Sequence, residues 1–217
     1  MQTKTSLVAE VDYLQAIPNS NGGTDELLIF VSTGFVLLMQ LGFAFLENGL
    51  VRKKNSYHQN FMNVASTCFE VIVWWLWGYG LAYGFNKTND TGMAGGLGAA
   101  YAASKFGSIE TNQYPIWIFQ FAFCGTATTI ISGGVAERAT MKSFIICAII
   151  NTGLIYPIVA YWVWGGGWLM ARGFQDFAGC AVVHMVGGIS AFVAAWILGP
   201  RYGFEKNPED KKTWEEI

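Results

Sequence analysis

The chain contains 217 residues, of which 53% are apolar and only 13% are charged. An ordinary soluble domain has about 25% charged residues, so this composition excludes a soluble globule and indicates a membrane protein. The net charge of −2 leaves no basic excess for nucleic acid, which argues against nucleic-acid binding.

Residues 1–23 are polar and lack the apolar core of a signal peptide, which predicts an N-terminal tail outside the membrane. Crossing a bilayer takes about 20 apolar helical residues, and residues 24–200 contain five runs of this kind. The predicted membrane spans are 27–46, 61–84, 114–136, 143–164 and 177–199. The sequence therefore predicts an all-α polytopic membrane protein with five transmembrane helices.

Lys and Arg are unequally distributed between the two sides of these five runs. Nine lie on one side and four on the other, and short loops rich in Lys and Arg stay in the cytoplasm. We therefore predict that the N-terminus is extracellular and that residues 201–217 begin a cytoplasmic loop. Two N-glycosylation motifs, at Asn86 and Asn89, fall in a loop predicted to be outside. Because this motif is common by chance, we favour the interpretation that neither is used.

Neither catalysis nor metal binding is indicated by the sequence. The four cysteines, Cys68, Cys124, Cys147 and Cys180, each lie in an apolar run without a Cys-x-x-Cys pair, which predicts buried thiols and no metal site. The sequence has only two histidines, and it lacks a nucleophile elbow and a phosphate-binding loop. We expect no enzyme activity and no cofactor.

Three ionisable side chains lie at or near membrane depth, where such groups are costly. His184 is about 10 Å below the outer end of the fifth run, and pore lining and a structural hydrogen bond are equally good interpretations. Asp176 is expected to cap the N-terminus of that run, and its charge would also favour an approaching cation. Glu70 has three possible roles: a proton relay, a buried carboxyl held neutral, or a hydrogen-bond partner between helices. Of these we favour the structural roles over the proton relay.

Aromatic rings form a further polarised feature. Trp164 precedes Gly165-Gly166-Gly167, so its ring can face an outer vestibule, where a π face attracts a cation. Phe119, Phe121 and Phe123 lie in the third run, and one of them could close a pore. An interfacial Trp and lipid-facing Phe residues are the more common explanation for such rings.

The stretch from Asp176-Phe177-Ala178-Gly179 to His184-Met185-Val186-Gly187-Gly188 resembles the signature of the ammonium transporter family (Amt/Mep/Rh), and is closest to the Amt/Mep branch. Matching blocks at Gly42–Arg52 with Lys54-Asn55, at Phe119–Arg138 and at Trp164–Gly167 extend the resemblance over residues 24–205. The resemblance implies the first of two inverted five-helix repeats, that is, the N-terminal half only. We therefore expect a fragment of a longer transporter, rather than an incomplete or a diverged half.

The resemblance also implies a role for each site residue. Trp164 and Asp176 match the residues that recruit the substrate, which would be ammonium, ammonia or methylammonium. Phe123 matches one ring of a phenylalanine gate, and His184 matches the first of two pore histidines. The family further implies a homotrimer in the plasma membrane, surrounded by lipid. An ammonium sensor with little or no transport is the alternative function.

Overall fold

The structure is a computed structural model that describes residues 22–84, 94 and 114–201. Asn86 and Asn89 lie outside these residues. Every regular element in the described part is helical. The α-helices are Gly22–Leu50, Ser56–Val73, Tyr79–Tyr83, Tyr114–Val135, Met141–Ile150, Tyr156–Val163, Trp168–Ala171 and Val186–Leu198. Three π-helical turns, Trp74–Gly78, Asn151–Ile155 and Cys180–Met185, and the 3-10 turn Lys53–Asn55 complete them.

Five helical stretches are long and apolar enough to cross a membrane. They are numbered here as span 1 (Glu26–Leu50), span 2 (Lys53–Tyr83), span 3 (Tyr114–Val135), span 4 (Met141–Ala171) and span 5 (Cys180–Leu198). The predicted fold class, an all-helical protein with five transmembrane helices, is confirmed.

Span 3 lies at the centre of the fold. In its most apolar stretch 56% of the residues are buried, compared with 6% in span 1. Small residues bring span 5 close to it: a Cβ on Gly187 would lie 2.7 Å from the Ala127 carbonyl oxygen, and one on Gly134 would lie 2.7 Å from the Ala191 Cβ. Small residues of span 5 thus make a close contact with span 3.

Spans 2 and 4 cross where each contains a π-helical turn. Pro157 in span 4 has no N–H to donate to the carbonyl four residues earlier, that of Gly153. The Trp77 indole from span 2 donates to this carbonyl instead, at 2.9 Å. Gly78 permits the close approach, since a Cβ there would lie 2.9 Å from the Thr152 carbonyl oxygen. The proline is therefore tolerated because a neighbouring span satisfies the backbone group that it leaves free.

Two of the four cysteines differ from the sequence-based expectation. Cys124 is buried on span 3, whereas Cys68 and Cys180 are exposed. Both lie on helix faces that no other described span covers. Their position in an apolar run therefore did not predict whether other parts of the protein bury them. Span 5 also exposes Phe192 and Trp196 on its outer side.

Candidate functional site

The junction between spans 4 and 5 is organised by the carboxylate of Asp176. Its Oδ1 accepts the backbone N–H of Cys180 at 2.8 Å, and its Oδ2 accepts those of Ala181 and Val182 at 2.8 and 2.9 Å. These are the first free N–H groups of span 5, so Asp176 caps this helix. Gly179, with φ of +80°, makes the turn between the carboxylate and the helix. The structure therefore fixes one negative charge at the start of span 5.

Trp164 is tied to the same junction. Its indole N–H donates to the backbone carbonyl of Asp176 at 2.9 Å. A Cβ on Gly179 would lie 3.4 Å from the edge of the Trp164 ring and 2.9 Å from a methyl group of Val183. The ring is therefore held beside the cap by its hydrogen bond to the backbone of Asp176, and its edge lies close to Gly179.

Phe123 is the phenylalanine of span 3 that reaches this junction. Its ring centre lies 6.0 Å from that of Trp164, with the two planes tilted by 57°. Phe119 packs edge-on against Phe123, with 4.9 Å between ring centres. Phe121 instead is buried and stacks on Trp117 at 6.0 Å. Of the three predicted candidates, Phe123 is thus the one that contacts Trp164.

His184 lies one turn further into span 5 and faces outward. It is exposed, as are Cys180 and Gly188 on the same side of the helix. Its Nδ1 lies 3.3 Å from the Gly179 carbonyl oxygen; when Nδ1 carries the hydrogen of this bond, Nε2 is left as an acceptor on the exposed side. Among the contacts of the described residues, none joins His184 to Trp164 or to Phe123.

A second buried network was not found by sequence reasoning. Glu137 follows span 3 in a left-handed conformation with φ of 61°, and its side chain is 1% exposed. Its Oε1 accepts the backbone N–H and the Nε of Arg52 at 2.8 and 3.1 Å, and the amide of Asn55 at 2.6 Å. Arg201, beyond span 5, donates to its Oε2 at 3.2 Å. The network joins the cytoplasmic ends predicted for spans 1, 3 and 5.

These partners also determine the acidity of Glu137. Burial by itself would raise the pKa of this carboxyl, but the hydrogen bonds from Asn55 and Arg52 and the charge of Arg52 outweigh it and lower the pKa below 4.5. The sequence offered one signal, the adjacent pair Glu137-Arg138 after Gly133-Gly134. Nothing in that spacing indicates partners more than 60 residues away along the chain.

No metal centre is formed by the described residues: within 22–84 and 114–201 no three His, Cys, Asp or Glu side chains group closely enough to hold an ion. The chemistry of the junction is instead that of a fixed carboxylate beside two aromatic rings. Such a site can attract a cation electrostatically and offer it a π face.

Comparison with known sequences identifies the chain. Residues 27–215 match the model of the Ammonium Transporter Family. The chain belongs to the ammonium transporter family. Ammonium transporter 3 of Dictyostelium discoideum is 37% identical, over 82% of this chain and 40% of that protein. Ammonium transporter Amt1 of Archaeoglobus fulgidus is 34% identical, over 82% of this chain and 44% of that protein.

Solved structures of the ammonium transporter family share the fold. One described as "Sensor Amt Protein" aligns with a TM-score of 0.76 at 34% identity, covering 85% of this chain and 46% of that one. Saccharomyces cerevisiae Mep2 aligns with a TM-score of 0.69 at 25% identity, covering 85% and 42%. The resemblance to the Amt/Mep branch is thus confirmed, and the chain spans less than half the length of these relatives.

Membership of the ammonium transporter family supports transport as the general function and indicates a multi-pass membrane protein. The named relatives are transporters and not enzymes, which at the level of the family agrees with the expectation of no enzyme activity.

Proposed function

We propose that this chain forms one wall of a path that carries ammonium or ammonia, and methylammonium as an analogue, across the plasma membrane. The observation that carries the proposal is the junction of Trp164, Asp176 and Phe123, in which a fixed carboxylate just before span 5 meets two rings from spans 3 and 4. Family membership gives the substrate class, and the junction gives the residues that would act on it.

Recruitment of the cation is assigned to Trp164 and Asp176. A cation over an indole face gains about 0.5–2 kcal/mol. Three backbone N–H groups hold the Asp176 carboxylate in place, so turning to bind the cation directly would break the cap. The carboxylate charge nevertheless remains beside the ring, because the indole donates to the backbone of the same residue. We infer that Asp176 holds Trp164 in position and supplies negative potential.

Conduction is assigned to Phe123 and His184. Phe123 lies next to the Trp164 ring, where an apolar ring can close a narrow path by excluding water. A bare cation pays a large desolvation cost in apolar surroundings, whereas neutral ammonia pays only that of a small polar molecule. Because the His184 face of span 5 is exposed, we infer that another five-helix unit supplies a second wall and closes the pore.

The orientation follows from the charge distribution. Arg52, Arg138 and Arg201 lie at one end of the fold: Arg52 and Arg201 both bond Glu137, and Arg138 donates to the Gly199 carbonyl at 2.9 Å. We propose that this end is cytoplasmic, which leaves the N-terminus and the Trp164 vestibule outside. A homotrimer is proposed from the family alone.

Uptake of labelled methylammonium by cells that lack their own ammonium transport tests the proposal, with the full-length gene product expressed. Trp164→Leu should raise the half-saturating concentration about 2- to 30-fold, which corresponds to the loss of one cation–π contact. Trp168→Leu is the matched control, since Trp168 is 42% exposed in the same region and packs on Trp162 instead.

Absence of uptake by a correctly inserted wild-type protein would overturn the transport assignment. Ammonium binding without uptake would then favour the sensor alternative. Equal effects of the Trp164 and Trp168 substitutions would show that recruitment does not depend on the junction.

A further inference from the structure

A polar seam runs through the interior of spans 1, 2 and 3. Each span contributes polar or small residues at helical spacing to one line: Gln40 and Glu47 from span 1, Asn63, Ser66 and Glu70 from span 2, and Gly125, Thr129 and Ser132 from span 3. Both glutamates are 1% exposed. A carboxyl group buried this deeply among membrane spans is costly, and a purely structural seam could use amides.

Both oxygens of Glu47 have hydrogen-bond partners from the neighbouring spans. Its Oε2 accepts the side-chain amides of Gln59, at 2.9 Å, and of Asn63. Its Oε1 forms a close hydrogen bond with the Ser132 hydroxyl. None of these three partners is ionisable, so no counter-charge fixes Glu47 in its ionised form.

The Ser132 hydroxyl can serve Glu47 in either protonation form. Ser132 Oγ lies within hydrogen-bond distance of two acceptors, Glu47 Oε1 and, at 2.6 Å, the Thr129 carbonyl oxygen, but it has a single hydrogen. When Glu47 is ionised, this hydrogen points to Oε1. When Glu47 is protonated, the carboxyl donates to Oγ and the hydroxyl donates to Thr129. Both forms leave the two Glu47 oxygens and the Ser132 hydroxyl paired.

Glu70 repeats the arrangement within span 2. Ser66 precedes Glu70 by one helical turn and lies 3.0 Å from the Asn63 carbonyl oxygen, so its single hydrogen can go either to that carbonyl or to the Glu70 carboxylate. Above Gly125, the Oε2 of Glu70 shares the space with the side-chain amide of Gln40, whose Nε2 is buried and has no hydrogen-bond partner among the described residues. The Cys124 thiol, on span 3, is the other titratable group near this carboxyl.

The two glutamates lie at different depths and away from the His184 face. Glu70 approaches Gly125, and Glu47 approaches Gly133, each within 3.4 Å of where a Cβ would be. Eight residues of helix separate these glycines, which is about 12 Å along the axis. Span 5 contacts span 3 elsewhere, at Ala127 and Ile130 through Gly187. Span 3 therefore stands between the seam and the proposed substrate path.

We propose that Glu47 and Glu70 are two proton-binding sites inside the membrane, each alternating between carboxylate and carboxylic acid while a serine hydroxyl reverses its hydrogen bond. Each step transfers one proton from hydronium to a carboxylate oxygen and leaves water, with no other bond formed or broken. The proposal deepens the proposed transport function and rests on it in one respect. It takes proton binding at these two carboxyl groups to be coupled to movement of the substrate.

Infrared difference spectroscopy on the purified full-length gene product tests this directly, because a protonated carboxyl has a distinct carbonyl stretch. Titration between about pH 4 and about pH 9 should show two buried carboxyl signals. Glu47→Gln should remove one and Glu70→Gln the other, since Gln keeps the hydrogen-bond geometry of the acid but cannot release a proton. Glu26→Gln, at the opposite end of span 1 from Glu47, is the control and should remove neither.

Two further measurements separate this proposal from the transport assignment. Ser132→Ala should shift the Glu47 signal without abolishing it, because the carboxyl loses the hydroxyl that serves both forms. Added ammonium should perturb both signals in a transporting protein. Loss of uptake with both signals intact would overturn transport alone. A wild-type protein without titrating carboxyl signals, or signals unchanged in both Gln variants, would overturn the proton-binding sites.

Discussion

Asp176→Asn separates the two roles assigned to this residue, which are to cap span 5 and to supply negative charge. The best amide rotamer places its oxygen where Oδ2 accepts the N–H groups of Ala181 and Val182, and the cap then loses the bond to Cys180. A hydrogen bond to a charged group contributes about 1.5–3 kcal/mol, so we expect a loss of about 2 kcal/mol in the free energy of unfolding. The Trp164 bond is kept, because it goes to the backbone carbonyl.

The same substitution should also lower transport, because it removes the negative charge beside the Trp164 ring. A unit charge within about 8 Å of a cation contributes about 2 kcal/mol at an effective dielectric constant near 20. Removing it should therefore lower methylammonium uptake at subsaturating concentration about thirty-fold. Uptake per inserted molecule and thermal unfolding of the purified protein are the two measurements.

Thr140→Ala is the matched control for the cap. Thr140 caps the helix Met141–Ile150 with one neutral bond to the Ser143 N–H at 3.3 Å, and its loss should cost about 1 kcal/mol with uptake unchanged. If Asp176→Asn left uptake within a factor of about three of wild type while destabilising the protein, the electrostatic role would be wrong. If it destabilised the protein no more than Thr140→Ala, the cap would be weaker than its geometry indicates.

Three other substitutions test the packing and the charge network by thermal unfolding. Gly187→Ala should destabilise by about 1–3 kcal/mol, because its Cβ would lie 2.7 Å from the Ala127 carbonyl oxygen, whereas Gly188→Ala, with open space, should have no such cost; equal effects would refute the contact. Trp77→Phe should cost about 1–3 kcal/mol, because the Gly153 carbonyl loses its donor. Because the pKa of Glu137 is lowered on folding, its ionised carboxylate stabilises the fold at pH values above the usual pKa of 4.5. This stabilisation is lost as the pH falls through the lower pKa of the folded state. Glu137→Gln should flatten that part of the profile of unfolding midpoint against pH.

The sequence predicted the features that are encoded locally. Asp176 lies just before an apolar run, so its capping role follows from position alone, and the structure confirms the cap. The five helices follow from uncharged runs of bilayer length. Trp164 could be placed near the outer end of span 4 in the same way, although its hydrogen bond to Asp176 was not foreseen.

The features that the sequence did not predict depend on partners far along the chain. The first run was predicted to end at residue 46, because the charged Glu47 terminates the uncharged stretch, yet the helix continues to Leu50 and the Glu47 carboxylate is buried. Its burial is made tolerable by Gln59 and Ser132, which belong to other spans. Pairing of this kind is decided by helix packing, and one sequence contains no periodic signal for it.

The arrangement of the candidate site also divides the proposed function into two parts. Recruitment is assigned to Trp164 and Asp176, and the hydrogen bond that joins these two residues lies within this chain. Conduction needs an enclosed path, but His184 is exposed on the face of span 5 that points away from the other described spans. An imidazole that lines a narrow pore must be covered on that side by protein, because lipid offers it no hydrogen-bond partner. Within the proposed function, the outer cation site can therefore form before the pore is closed, and variants of Trp164 and Asp176 should alter cation affinity independently of the second wall.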